Sequence, residues 1–133
     1  MEYVDAINSH DYKRLRSYHA DTFRALLPGQ PGLVDEAGHQ AFLLQNWTAF
    51  PDFAIKVTRN IAQGDYVFEN WIASGTQSGP MATPTGGNIP PTGHKATFHG
   101  SHTFEIKNGK VVLAKVYFDM ASLVGQLEVM PAV

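Results

Sequence analysis

The sequence predicts an α+β fold, with helices packed on one face of a curved, mostly antiparallel sheet. Three observations carry that prediction. Apolar residues recur at helical spacing before Pro51, the spacing switches to strand alternation after it, and Asn108-Gly109 joins two long strand-like runs. A chain of 133 residues fits one domain, and no linker or repeat divides residues 1–133.

The elements follow in order. Tyr3, Ala6 and Ile7 share a face of a short opening helix. Asn8-Ser9-His10-Asp11 breaks it, and Asp11 caps a second helix carrying Leu15, Tyr18 and His19. Residues 22–27 form a short piece ended by Pro28-Gly29-Gln30-Pro31-Gly32. Asp35 caps the next helix, where Ala37, Ala41, Leu44 and Thr48 line one stripe with Phe42 and Trp47 beside it, and Pro51 stops it. Phe53, Ile55 and Val57 alternate as a half-buried strand. After a turn at Gln63-Gly64-Asp65, residues 66–77 form a strand with Val67, Glu69, Trp71 and Ala73 on one face. Residues 78–93 hold four prolines and four glycines, a loop long enough to expect a functional use. Residues 94–107 and 110–118 make an antiparallel hairpin. Asp119 caps a last helix carrying Leu123, Val124 and Leu127.

Composition narrows the function. Zero cysteine excludes a disulfide scaffold, an iron–sulfur site and a Cys nucleophile. Ten Lys+Arg against twelve Asp+Glu, net −2, argue against nucleic-acid binding. The longest apolar runs are too short to span a membrane, and Glu2 and Asp5 stand where a secretory signal would be basic, so a soluble cytoplasmic protein is expected. No glycine-rich phosphate loop is present. His99 and His102, three apart on a strand, point to opposite faces, so no metal site is expected there.

A regular two-residue turn at Asn108-Gly109 sets a register: His102 faces Lys115, Gly100 faces Tyr117, and Phe98 faces Asp119. One face then carries Phe98, His102, Phe104, Ile106, Val111, Leu113, Lys115, Tyr117 and Asp119. It is apolar at one end and gathers an imidazole, an amine, a phenol and a carboxylate at the other, which suits a concave pocket with convergent polar groups. His102 near a carboxylate is a proton-transfer candidate. Each residue also has a plainer use. His102 could be a core histidine, Asp119 only a helix cap, Tyr117 a core or interface aromatic, Lys115 a solvent lysine. Glu69 is either a buried acid or the sign of a partly wet face. Trp71 could be core or a ligand platform. The opposite face, with Val112, Ala114, Val116 and Phe118, is also apolar and asks for a second cover, such as a partner subunit.

An ordered set of motifs adds a resemblance. Phe50-Pro51-Asp52-Phe53, Gly64-Asp65-x-Val67, Gly75-Thr76-x-x-Gly79, Pro90-Pro91-Thr92-Gly93, Asn108-Gly109-Lys110-Val111 and Asp119-x-x-x-Leu123-x-x-Gln126-Leu127 run in sequence. The chain resembles the SnoaL-like polyketide cyclases, or ester cyclases, of the NTF2-like superfamily, over nearly its whole length. The resemblance implies a cone-shaped α+β barrel, its strongly curved sheet wrapped around N-terminal helices and a deep apolar pocket, in a homodimer without cofactor. It implies an intramolecular aldol step driven by an aspartate. The family's pocket histidine falls on His102, its acid/base aspartate on Val116, and the aromatic residue of its first helix on Ile7. Met81-Ala82-Thr83-Pro84-Thr85-Gly86-Gly87 reads as an insertion at the pocket mouth, a potential lid.

Three functions follow as expectations. The first is a cofactor-free acid/base enzyme on a small to medium hydrophobic carbonyl compound, with His102 and Asp119 as the catalytic pair. Tyr117, Lys115, Trp71, Glu69, Phe98, Phe104 and Trp47 would contact the ligand. The second is a non-catalytic binding protein, motivated by Val116. The third is an epoxide hydrolase of the same fold, with Asp119 and Glu69 as carboxylates and Arg59, the only arginine in the sheet half, to orient them.

Overall fold

A computed structural model describes residues 2–82 and 87–128. The elements are α1 (Glu2–Asn8), α2 (Tyr12–Arg16), β1 (His19–Leu26), α3 (Glu36–Ala49), β2 (Ala54–Gln63), β3 (Tyr66–Thr76), β4 (Met81–Ala82), β5 (Asn88–Ile89), β6 (Lys95–Lys107), β7 (Lys110–Phe118) and α4 (Met120–Gln126). Five strands form one curved sheet in the order β1-β7-β6-β3-β2, and β4 pairs with β5 apart from it. The two edge strands do not meet, so the sheet stays open rather than closing into a barrel. The helices cover its inner face, where Tyr3, Ile7, Leu15, Leu43, Trp71 and Phe98 are buried. No helix among the described residues is long and apolar enough to cross a membrane.

Local chemistry explains the ends of the elements. The side chains of Asp11, Asp35 and Asp119 accept hydrogen bonds from the backbone N–H of Arg14, Gly38 and Ser122, capping α2, α3 and α4. Asn108 and Gly109 both have positive φ, 53° and 74°, the pair of left-handed residues that a tight hairpin needs.

Three expectations are corrected. His19 does not continue a helix: α2 ends at Arg16, and residues 19–26 form an edge strand parallel to β7. The buried stripe of α3 is His39, Leu43 and Trp47, while Ala37, Ala41, Leu44 and Thr48 face solvent. A row of small residues resembled a core face because the true face begins with a polar histidine. The hairpin register slips as well. Ile106 pairs with Val111 but Glu105 with Leu113, so Val112 is a bulged extra residue. Beyond it every side chain of β7 changes face. His102 therefore faces Val116, and Lys115 and Tyr117 pair with Thr103 and Ser101 on the outer side.

The loop after β3 is pinned by Gln77, which is fully buried. Its amide nitrogen lies 3.1–3.2 Å from the carbonyls of Gly79, Ile89 and Pro90, and its oxygen accepts from the Thr92 hydroxyl at 2.8 Å. Gly79 packs on the end of α3, where a Cβ would stand 2.1 Å from the Thr48 carbonyl oxygen. Of the potential lid, residues 83–86 lie outside the described residues. None of the loop's described residues lines the central cavity.

Candidate active site

Two strands and the helix laid against them build the site. Glu69 on β3 and His102 on β6 are register partners on the inner face, so strand alternation brings a carboxylate and an imidazole to one point. His102 Nδ1 stands 3.6 Å from Glu69 Oε1, an ion-pair distance rather than a full hydrogen bond. Glu69 is 1% exposed, and neither its oxygens nor His102 Nδ1 has a hydrogen-bond partner among the described residues. A buried carboxylate without donors destabilises a fold, which marks the pair for a use other than stability. Trp71 lies 5.5 Å from the His102 ring and Phe104 stacks on it at 5.0 Å. Gly100 makes room for that tryptophan: a Cβ there would stand 2.3 Å from the indole.

A second polar cluster joins four elements. Tyr3 Oη lies 2.8 Å from His19 Nε2, and His19 Nδ1 lies 2.8 Å from Glu36 Oε2. Tyr12 Oη donates to the same Glu36 oxygen in a short hydrogen bond and lies 2.8 Å from His39 Nδ1. Burial sets the protonation here. It lowers His39 to about 3, with the imidazoles of His19 and His102 adding to the effect. It also lowers His19, overriding the pull of the Glu36 carboxylate. Burial first and Glu36 second raise both Tyr3 and Tyr12, so both phenols stay protonated. His19, Glu36 and His39 each offer a ligand atom within 4.8 Å of the others, a set that could close on a metal ion. All three are engaged by the two tyrosines or by one another.

Both clusters reach one cavity. Tyr3, His39, Trp71, Phe98, His102 and Val116 line it among mostly apolar neighbours. Its volume is about 50 Å³, room for a few water molecules. Phe42, Phe53 and Phe118 also line it and are only partly buried.

The residues singled out in sequence divide accordingly. His102, Trp71 and Phe98 line the cavity. Glu69 is buried behind His102, and Phe104 between His102 and Tyr3, whose ring is 5.0 Å away. Trp47 is buried and stacks on His10 at 4.9 Å rather than lining the cavity. Lys115 and Tyr117 lie on the outer face because of the Val112 bulge, and Tyr117 is 51% exposed. Asp119 is exposed, with its carboxylate on the α4 cap, so it does not form a pair with His102. Arg59 is also exposed. The cluster of Tyr3, Tyr12, His19, Glu36 and His39 escaped the sequence reading. Its one signal was Glu36-x-x-His39, two polar residues on one face of a capped helix.

A family model described as SnoaL-like polyketide cyclase matches residues 1–127. No curated protein sequence matches the chain at a significant level. Among solved structures, AclR from Streptomyces galilaeus, a proposed hydroxylase, aligns with a TM-score of 0.84 at 23% identity, over 99% of this chain and 83% of that one. IdmH from Streptomyces antibioticus, a proposed polyketide cyclase, aligns at 0.80 and 24%, over 96% and 94%. An LEH-like epoxide hydrolase from M. tuberculosis aligns at 0.67 and 16%, over 96% and 84%. At these identities the likeness is one of fold.

Proposed function

The chain belongs to the SnoaL-like polyketide cyclase family, and from that premise we propose an acid/base enzyme, needing no cofactor, that acts on a small to medium hydrophobic carbonyl compound in the central cavity. The observation that carries this reading is the buried Glu69–His102 pair, short of other partners, at the wall of an apolar cavity. Paired with the Glu69 carboxylate through Nδ1, His102 acts as an imidazolium, and its Nε2–H donates to the ligand's carbonyl oxygen as an enolate develops. Glu69 thus replaces Asp119 as the histidine's acidic partner. Trp71 and Phe98 supply the apolar bed, and Phe104 backs the imidazole ring. A ring-sized ligand needs more room than about 50 Å³, and the partly buried Phe42, Phe53 and Phe118 are the lining aromatics that would yield it.

A second reading is ligand binding without turnover. It is favoured by Val116, which faces His102 where the resemblance puts the cyclases' aspartate. Exchange of α-hydrogens separates the two. In D2O, the unaltered protein should speed deuterium uptake by cyclohexanone and 2-tetralone, read by mass spectrometry. His102→Gln and Glu69→Gln should each slow it at least about tenfold. Thermal stabilisation by the ketones with no exchange decides for binding alone. Neither effect overturns both readings. The exposed outer face of the sheet further supports a homodimer.

A further inference from the structure

We propose that His39 is a second catalytic residue of the cavity, a neutral imidazole whose Nε2 takes a proton from the ligand while its own Nδ1 proton moves through Tyr12 to Glu36. This rests on the carbonyl reading above and adds where the proton goes.

With Glu36 taken as the carboxylate, the hydrogen bonds of the second cluster allow one consistent set of protons. Tyr12 Oη lies against Glu36 Oε2, and the carboxylate has no proton to give, so the phenol donates there. Tyr12 has only one proton, so the contact with His39 Nδ1, at 2.8 Å, must carry the imidazole's. His39 Nε2 is then bare, on a ring that is 4% exposed and lines the cavity. On the other side Tyr3 donates to His19 Nε2, and His19 Nδ1–H donates to Glu36, 2.8 and 2.9 Å from its two oxygens. Each of the four protons in the row then has an acceptor, with the Tyr12 hydroxyl also 3.3 Å from the Glu36 backbone carbonyl and the His19 Nδ1 proton shared between both carboxylate oxygens.

Burial opposes an imidazolium at His39, so simple uptake of a proton would be costly. The relay removes that obstacle. The ligand's α-C–H bond breaks as Nε2–H forms. The Nδ1–H proton passes to the Tyr12 oxygen as the Tyr12 proton passes to Glu36. The carbon's electron pair becomes the enolate beside His102. Negative charge moves from Glu36 to the ligand, and neither imidazolium nor tyrosinate forms. The reverse path returns the proton to another carbon, as an isomerisation needs. The ligand class is therefore a ketone with an α-hydrogen.

The first test needs no ligand. In 15N-labelled protein, long-range 1H–15N correlation should find His39 protonated at Nδ1 and bare at Nε2 at neutral pH. An Nε2–H tautomer, or an imidazolium, overturns the relay. The second test uses Tyr12→Phe, which keeps the ring and the Glu36–His19 bond. Deuterium uptake by cyclohexanone should lose about tenfold or more in kcat with KM little changed. Unchanged kcat overturns the proposal. So does stoichiometric Zn2+ binding that raises Tm and is lost in His39→Gln, since the ion would displace Tyr12 from His39. If the unaltered protein exchanges nothing, the carbonyl reading fails, while the tautomer still decides the relay by itself.

Discussion

His39 and His19 are held neutral inside the fold, and that has a consequence for stability. In the unfolded chain each imidazole takes up a proton near its ordinary value of 6.5, whereas folded His39 does so only at about 3. Between those values the unfolded state binds more protons, so stability is complete above about 6.5 and falls as pH drops. The slope reaches roughly 1.4 kcal/mol per pH unit for His39 alone. Urea denaturation between about pH 7 and pH 5 should show this decline, and His39→Gln should flatten it. An equal midpoint at both ends would contradict the burial argument. These residues also show what sequence can and cannot reveal. His102 was legible because it alternates in phase with Phe98 and Phe104 on a strand fixed by a strong turn. Glu69 was visible as an acid in an apolar row, but its partner depended on strand order, which one strand does not disclose. His39 was hidden because its partner Tyr12 comes from a separate helix, and hydrophobic periodicity carries no information about a polar residue on a buried stripe.

Helix α4 gives each residue of the loose motif from Asp119 to Leu127 a structural use. Asp119 caps it, Leu123 reaches the cavity, and Leu127 is 1% exposed. Gln126 ties it to β6, its oxygen accepting from Thr97 N–H at 2.7 Å and its nitrogen donating to the Thr97 carbonyl at 2.6 Å. Those two bonds give the strand edge a partner that no neighbouring strand supplies. Gln126→Ala should therefore cost about 1–2 kcal/mol and speed exchange of the Thr97 amide. Unchanged protection of that amide would show that the helix is held by its leucines alone. The three aspartate caps, the turns and the long strands were readable at this scale because each rests on chemistry within a few residues. The Val112 bulge was not. One extra residue leaves the alternating pattern intact on either side, and only pairing with β6 reveals that the face has changed. The same slip turned the supposed pocket donors Lys115 and Tyr117 outward and put Val116 beside His102.

Across the whole molecule, 44% hydrophobic residues serve more than one interior. The inner face takes the core and the cavity, and the outer face still exposes Ile61 at 54%, Phe68 at 43%, Tyr66 at 44% and Tyr117 at 51%. Strand register lines up Ile61, Phe68, Thr103 and Lys115 across β2, β3, β6 and β7, and Tyr66 stacks on Phe68 at 6.2 Å. Exposed apolar surface arranged in a patch, rather than scattered, is typical of an interface. The same face carries both an acid, Glu105, and a base, Lys115, so a second copy turned by a two-fold axis can match aromatic to aromatic and acid to base. The family resemblance implied this partner as an expectation, and the row on the outer face is where it would sit. Sedimentation at micromolar concentration should give twice the 14.6 kDa of the chain. Phe68→Lys with Tyr117→Lys should give the monomer with its circular dichroism intact, because both side chains already face water in one copy. Leu33→Lys, an equally exposed change beside the β1 edge and outside that row, should leave the dimer in place. A wild-type chain that sediments as a monomer would leave the outer face as exposed surface and remove the partner subunit from the account.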